Sequence, residues 1–385
     1  MFSSRTGWNL APNDLSRLLD EKRRKNEPII DLTESNPTRC SFSYSRNILQ
    51  ALATDRSLLY EPDPRGLLSA RERVAAYYGK IGLPVNPDNI ILAASTSEAY
   101  THLFRLLCNP GENVLVPKPG YPLFEYLCNH NDVEASFYRL RYDDEWQIDF
   151  ESLQNAFDQS TRAILLVHPN NPTGSFIKPL ERQRIVDFAR QNNLALIVDE
   201  VFSEFSLTEV TRQRSFAAEE NVLTFTLNGI SKMLGLPQMK LAWLTASGGA
   251  DVVREAVRRL EFIADTYLSV GTPIQQALPT LLDDGGNVTA QITNRIRTNR
   301  EKLSSALTGL PASLYNADAG WNAILRLPGI KSDEAWALDI LRGKNVLVHP
   351  GHFFEMEQES SVVVSLLPPQ AVFTDGIGGI LDAVQ

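Results

Sequence analysis

Cysteine and histidine are scarce in this chain of 385 residues, at three and five. Cys40, Cys108 and Cys128 are odd in number and scattered, so they read as small buried hydrophobes and not as a disulfide framework. The histidines have no metal-ligand spacing. His102 falls within a helical pattern, His130 near a helix end, His168 just before a turn, and His349 and His352 on either side of Pro350-Gly351. No apolar run approaches the ~20 residues that span a bilayer. Met1 to Pro12 lacks the apolar centre of a signal peptide. A basic excess is missing too: the formal net charge is −9 and the pI near 5.2, which argues against nucleic acid or an anionic membrane as partner. There is no internal repeat and no low-complexity segment. The expectation is a soluble, cytoplasmic protein.

What is present is an ordinary globular composition, 43% hydrophobic and 22% charged, in a chain long enough for two domains. Residues 13–25 read as an amphipathic helix with Asp14 as its cap, and Ile29–Leu32 as a short strand leading into the turn-rich loop Thr33–Arg39. Leu67–Tyr78 reads as a helix. From about residue 90, strand, loop and helix alternate. Strands are expected at Ile90–Ala94, Asn113–Val116, Ala163–Val167, Leu194–Val198, Val222–Leu227 and Leu241–Thr245. Near-continuous apolar strands alternating with helices predict a largely parallel sheet covered on both faces, an α/β domain. A long helix over 287–308 then leads into a smaller α+β domain, with strands at Ala323–Leu327, Val346–His349 and Val362–Leu366. The boundaries expected are 46–285 for the large domain, and 1–45 with 286–385 for the small one.

Ligand groups gather beyond the carboxyl ends of such strands. Ser95-Thr96-Ser97, Asn171, Asp199 and Lys232 all fall there. Each is weak evidence alone. A lone lysine is usually a surface charge, Asp199 a possible helix cap, Asn-Pro-Thr-Gly a turn, and Ser-Thr-Ser simple capping. Their order carries more. A hydroxyl-rich helix start precedes Pro119-Gly120-Tyr121-Pro122. Then come Asn171-Pro172-Thr173-Gly174, a strand ending in Asp199-Glu200, and Ser231-Lys232 before Gly235-Leu236-Pro237.

This ordered set resembles the class I/II aminotransferases of the fold-type I pyridoxal-phosphate-dependent enzymes, from Asn36-Pro37-Thr38 to Pro350-Gly351-His352-Phe353. The resemblance implies a large domain with a mostly parallel sheet flanked by helices, a smaller α+β domain, pyridoxal 5′-phosphate as cofactor, and a homodimer with shared active sites. It implies transfer of an amino group between an L-amino acid and a 2-oxo acid. A lyase or racemase on the same fold is the alternative. A non-catalytic sensor domain is a remote one, because about 25 residues precede the first strand, too few for a winged helix–turn–helix.

By the same resemblance, Lys232 forms the Schiff base with the cofactor and Asp199 pairs with its ring nitrogen. Tyr121 stacks on the ring and Asn171 bonds the 3′ oxygen and assists the substrate carboxylate. Ser95, Thr96 and Ser97 face the phosphate, and Tyr60 reaches the partner subunit's phosphate.

Three positions depart from the family pattern. Lys240 stands where an arginine commonly grips the phosphate, keeping the charge and losing the bidentate fork. Phe202 stands where a tyrosine often bonds the 3′ oxygen, so the Schiff base is expected to keep its proton to higher pH. Val363 stands where the substrate-carboxylate arginine is expected, and no Lys or Arg follows Lys344. Arg39, beside Asn36, is the preferred substitute. Arg326 is second, with Asn36, Ser365 and His352 as neutral donors.

Overall fold

The near-continuous apolar runs become the inner strands of an eight-stranded sheet. The computed structural model describes residues 1–207, 215–357 and 359–385. Across the sheet the order is Ile90–Ala93, Ala242–Ser247, Thr224–Gly229, Ala195–Asp199, Thr161–Val167, Asn113–Lys118, Glu134–Asp143 and Glu145–Ile148. The strands from Thr224–Gly229 to Glu134–Asp143 are mutually parallel. Ala242–Ser247 runs against both its neighbours, and Glu145–Ile148 against its single one.

Alternate residues of these strands enter two separate cores. Val114, Leu165, Ile197 and Phe225 pack on one face. Leu115, Leu166, Leu196 and Val198 pack on the other. Burial of both faces is why these strands read as unbroken apolar runs.

A second, four-stranded antiparallel sheet has the order Ser313–Leu314, Asn322–Arg326, Ser361–Ser365, His349–Pro350. The 21-residue helix Gly286–Ala306 leads into it, burying Ile292, Ile296 and Leu303 along one face. The N-terminal strand Ile30–Asp31 pairs in parallel with Val346–Leu347, which ties the start of the chain to this C-terminal part.

Several expectations need correction. The first helix is capped by Asn13, whose side chain accepts the Ser16 N–H, and Asp14 is already inside it. The expected Val346–His349 strand divides in two, because its halves pair with different partners. Glu134–Asp143 and Glu145–Ile148 were not anticipated. They lie at the sheet edge, where exposed charged residues interrupt the apolar pattern. Lys232 is expected in a loop but lies in a four-residue helical turn, Ile230–Met233.

Candidate active site

Three neighbouring parallel strands deliver the central groups. Val167 is opposite Asp199, and Asp199 is opposite Leu227. Asn171 follows the first strand, Asp199 ends the second, and Lys232 follows the third.

Asp199 is buried. Its Oδ1 accepts the Val201 N–H at 3.0 Å and its Oδ2 accepts the Tyr100 hydroxyl at 2.8 Å. Burial pushes its carboxyl up to about 6, against the pull of those two donors and the Lys232 charge. Desolvation disfavours the charged form, and donors to the carboxylate favour it.

Lys232 is placed by a close backbone passage. A Cβ on Gly229 would meet the Ala242 Cα at 2.9 Å, so glycine is required there. The helical turn that follows puts Lys232 Nζ 5.0 Å from the Trp321 ring centroid and 5.6 Å from that of Phe202. Burial lowers its pKa, with Asp199 pulling the other way. Its amine has no hydrogen-bond or ion-pair partner among the described residues.

The Asn-Pro-Thr-Gly turn is set by Gly174, at φ +70°, where a Cβ would meet the Ala319 oxygen at 2.2 Å. The Gly174 oxygen accepts the N–H groups of Asp318 and Ala319, at 3.1 and 2.9 Å. This docking brings the strand Asn322–Arg326 against the turn, and Asn322 Nδ2 donates to Asn171 Oδ1 at 2.7 Å. Tyr121 follows Gly120, whose N–H donates to the Phe354 oxygen at 3.0 Å. Burial, and then the charge of Asp199, raise the pKa of its phenol.

Ser95 caps the helix Thr96–Leu107, its Oγ accepting the Glu98 N–H at 3.2 Å. The Glu98 carboxylate accepts the Ala94 N–H at 2.7 Å and the Ser269 hydroxyl at 2.6 Å. Ser95 therefore does act as a cap, and its own O–H proton stays available as a donor. Thr96 and Ser97 lie in the first turn, where free backbone N–H groups favour an anion. Lys240 is exposed, with left-handed backbone at φ +53°. Ala93 pairs with Ala242, so Ser95 and Lys240 each lie two residues past the same pair, at one end of the sheet.

The expected arginine position holds a buried Val363, paired with Ile324 on one side and His349 on the other. Asn322 is opposite Ser365, whose N–H donates to the Leu32 oxygen at 2.6 Å. That bond ties Leu32, just before the Thr33–Arg39 loop, to this strand end. Asn36 Oδ1 caps a short turn, accepting the Thr38 N–H and hydroxyl at 3.1 and 2.7 Å. Arg39 is exposed, with Glu34 at 3.8 Å. Arg326 is exposed at the far end of its strand from Asn322, opposite Ser361. His352 is engaged with Asp333 at 3.0 Å, and Ser365 Oγ accepts the Leu367 N–H at 3.2 Å. Tyr60 is 76% exposed and lines a surface cleft with Glu61, Asp63, His102 and Ser269. Within one chain it does not join the Lys232 group.

Tyr100, Trp321 and Asn322 were not anticipated. Tyr100 sits one turn beyond Thr96 on the same helix, a spacing that gives the only signal for it. Nothing in the pattern around Trp321 and Asn322 marks them, since tertiary docking places them.

A lysine amine with no hydrogen-bond or ion-pair partner among the described residues, a buried carboxylate, an aromatic ring and a hydroxyl-lined helix start fit pyridoxal phosphate. The family model for "Aminotransferase class I and II" matches residues 27–371. The chain belongs to this family. It is a pyridoxal-phosphate-dependent aminotransferase. Among its relatives, the glutamate-pyruvate aminotransferase AlaA of Haemophilus influenzae is 29% identical, over 91% of this chain and 88% of that one. The tyrosine aminotransferase of Mus musculus is 25% identical, over 95% and 80%. The solved alanine aminotransferase of Pyrococcus furiosus has the same fold as this aminotransferase. Its TM-score is 0.90 at 22% identity, over 99% of each chain.

Proposed function

We propose that this aminotransferase works through Lys232 and Asp199 as a cytoplasmic homodimer, moving an amino group between an L-amino acid and a 2-oxo acid. The observation that carries the reading is the desolvated amine of Lys232, without a hydrogen-bond or ion-pair partner among the described residues, near the rings of Phe202 and Trp321 and within the field of Asp199. When bound, pyridoxal phosphate supplies an aldehyde that takes the amino group and a ring that accepts electron density from Cα.

The chain's own residues do the rest. Lys232 holds the cofactor through its amine. Once displaced by substrate, the same amine carries the Cα proton. Desolvation favours its neutral form, which a base requires. Asp199 holds the ring nitrogen's proton by charge. Tyr121 packs on the ring. Asn171, oriented by Asn322, serves the 3′ oxygen and the substrate carboxylate. Ser95, Thr96, Ser97 and Lys240 hold the phosphate, joined by Tyr60 of the second copy. Phe202 contributes ring packing alone. Asn36 and Arg39 meet the substrate carboxylate. In support, Leu32, Cys40 and Phe42 of that segment share a core with Phe202 and Trp321. Residues 46–285 form the cofactor domain, and 1–45 with 286–385 the smaller one.

The relatives named for glutamate, pyruvate and tyrosine make these amino and oxo acids the first substrates to test. Loaded enzyme mixed with one amino acid and no acceptor is expected to release one equivalent of 2-oxo acid per site and stop. Continuous ammonia release, or appearance of the other enantiomer, would indicate lyase or racemase chemistry instead.

A further inference from the structure

Among the described residues the Asp199 carboxylate has two donors, and only one is backbone. The other is the phenol of Tyr100, at 2.8 Å. Tyr100 is 2% exposed. Its ring packs at 5.4 Å edge-on to Phe124 and at 6.0 Å to Phe104, so its hydroxyl projects from apolar surroundings onto one partner. Burial, and then the Asp199 charge, push its own pKa well above the ordinary phenol value. It therefore remains a proton donor over the whole working range.

We propose that Tyr100 is a positioning residue of the transfer reaction, its hydroxyl holding the Asp199 carboxylate in its ionised form. This rests on the reading of Asp199 as partner of the ring nitrogen. The groups facing Asp199 are Tyr100, Tyr121, Lys232 and the Val201 N–H. Of these, Tyr100 alone offers Asp199 a side-chain hydrogen bond. Burial works against the carboxylate, and the Tyr100 bond works for it. Loss of the bond raises the Asp199 pKa further, so the carboxyl takes up a proton at a higher pH. The same helix carries Thr96 and Ser97 at its start, so one rigid element would set both the phosphate end and the ring-acid end of the site.

The test is cofactor release from loaded enzyme, followed by absorbance during dialysis, in wild type, Tyr100→Phe, Asp199→Asn and the double variant. Near pH 6, Tyr100→Phe is expected to release cofactor about tenfold faster than wild type, the size of one charge-assisted hydrogen bond. At about pH 9 the carboxyl is ionised in both proteins, and the rates are expected to converge. In the Asp199→Asn background, Tyr100→Phe is expected to change nothing further. Phenylalanine keeps the packing on Phe104 and Phe124, and the alkaline arm reports any general damage. Equal loss at both pH values, no loss at either, or an additive effect on Asp199→Asn each overturns the inference. Wild-type retention by Asp199→Asn alone overturns the assignment of Asp199 itself, a different result from failure of Tyr100.

Discussion

At the scale of single residues, Lys232 and Asp199 illustrate a site that is costly for the fold. Asp199 has its carboxyl raised to about 6 by burial, from an ordinary 3.8. Between those two values the folded protein binds a proton that the unfolded chain has released, so this group's contribution to stability falls as pH rises and is lowest above about 6. The shift is worth about 3 kcal/mol. Cofactor-free Asp199→Asn is therefore expected to melt a few degrees above cofactor-free wild type at neutral pH. The gain should vanish below about pH 4, where the Asp199 carboxyl of wild type is protonated in the folded and unfolded states alike. Matched thermal scans across pH check it. Lys232→Ala is expected to lower transfer by about a thousandfold or more, with loss of the covalently held cofactor absorbance.

Phe202 gives a third residue-scale expectation. Its ring is 5.3 Å from Trp321 and has no hydroxyl for the 3′ oxygen. In Phe202→Tyr the absorbance transition of the loaded enzyme should move to lower pH in a spectrophotometric titration. An unmoved transition would count against the role given to this position.

At the scale of elements, strand register decides what an isolated motif cannot. Val363 lies where an arginine was expected, and its neighbours across the sheet are Ile324 and His349. Arg326 shares a strand with Asn322 but lies at its opposite end. Arg39 belongs to the loop that follows Leu32, whose carbonyl is tied to the strand end at Ser365. We expect Arg39→Ala to raise KM for the amino acid about tenfold with little change in kcat, and Arg326→Ala to leave both alone. Steady-state kinetics with a fixed acceptor separates the two. The ion pair of Arg39 with Glu34 is too exposed to make the first variant a folding defect.

At the scale of the whole molecule, one chain leaves its surface unfinished. Leu58, Leu59 and Tyr60 are consecutive and exposed, at 86%, 55% and 76%. Such a run suits an interface more than open solvent. If Tyr60 serves the second copy's phosphate, Leu58→Asp is expected to give monomers in sedimentation and to weaken cofactor retention together. Monomers that keep the cofactor at wild-type affinity would refute the shared site.

The sequence by itself determined the cofactor chemistry of this protein. The parallel strands were legible because burial on both faces leaves a continuous apolar run, and the groups at their carboxyl ends were legible because topology puts them on one edge. Placing Lys232, Asp199 and Asn171 at the ends of neighbouring strands needed only chain order. Tyr100, Trp321 and Asn322 did not follow from chain order, because each reaches the site through packing between segments distant in the chain. Tyr100 meets Asp199 across the sheet's helical layer. Asn322 meets Asn171 because the Gly174 turn has room for the Ala319 carbonyl. Such contacts depend on how two surfaces dock, and local residue pattern holds no record of that. The tertiary structure thus decided what meets the Asp199 carboxylate and what surrounds the place of the missing arginine.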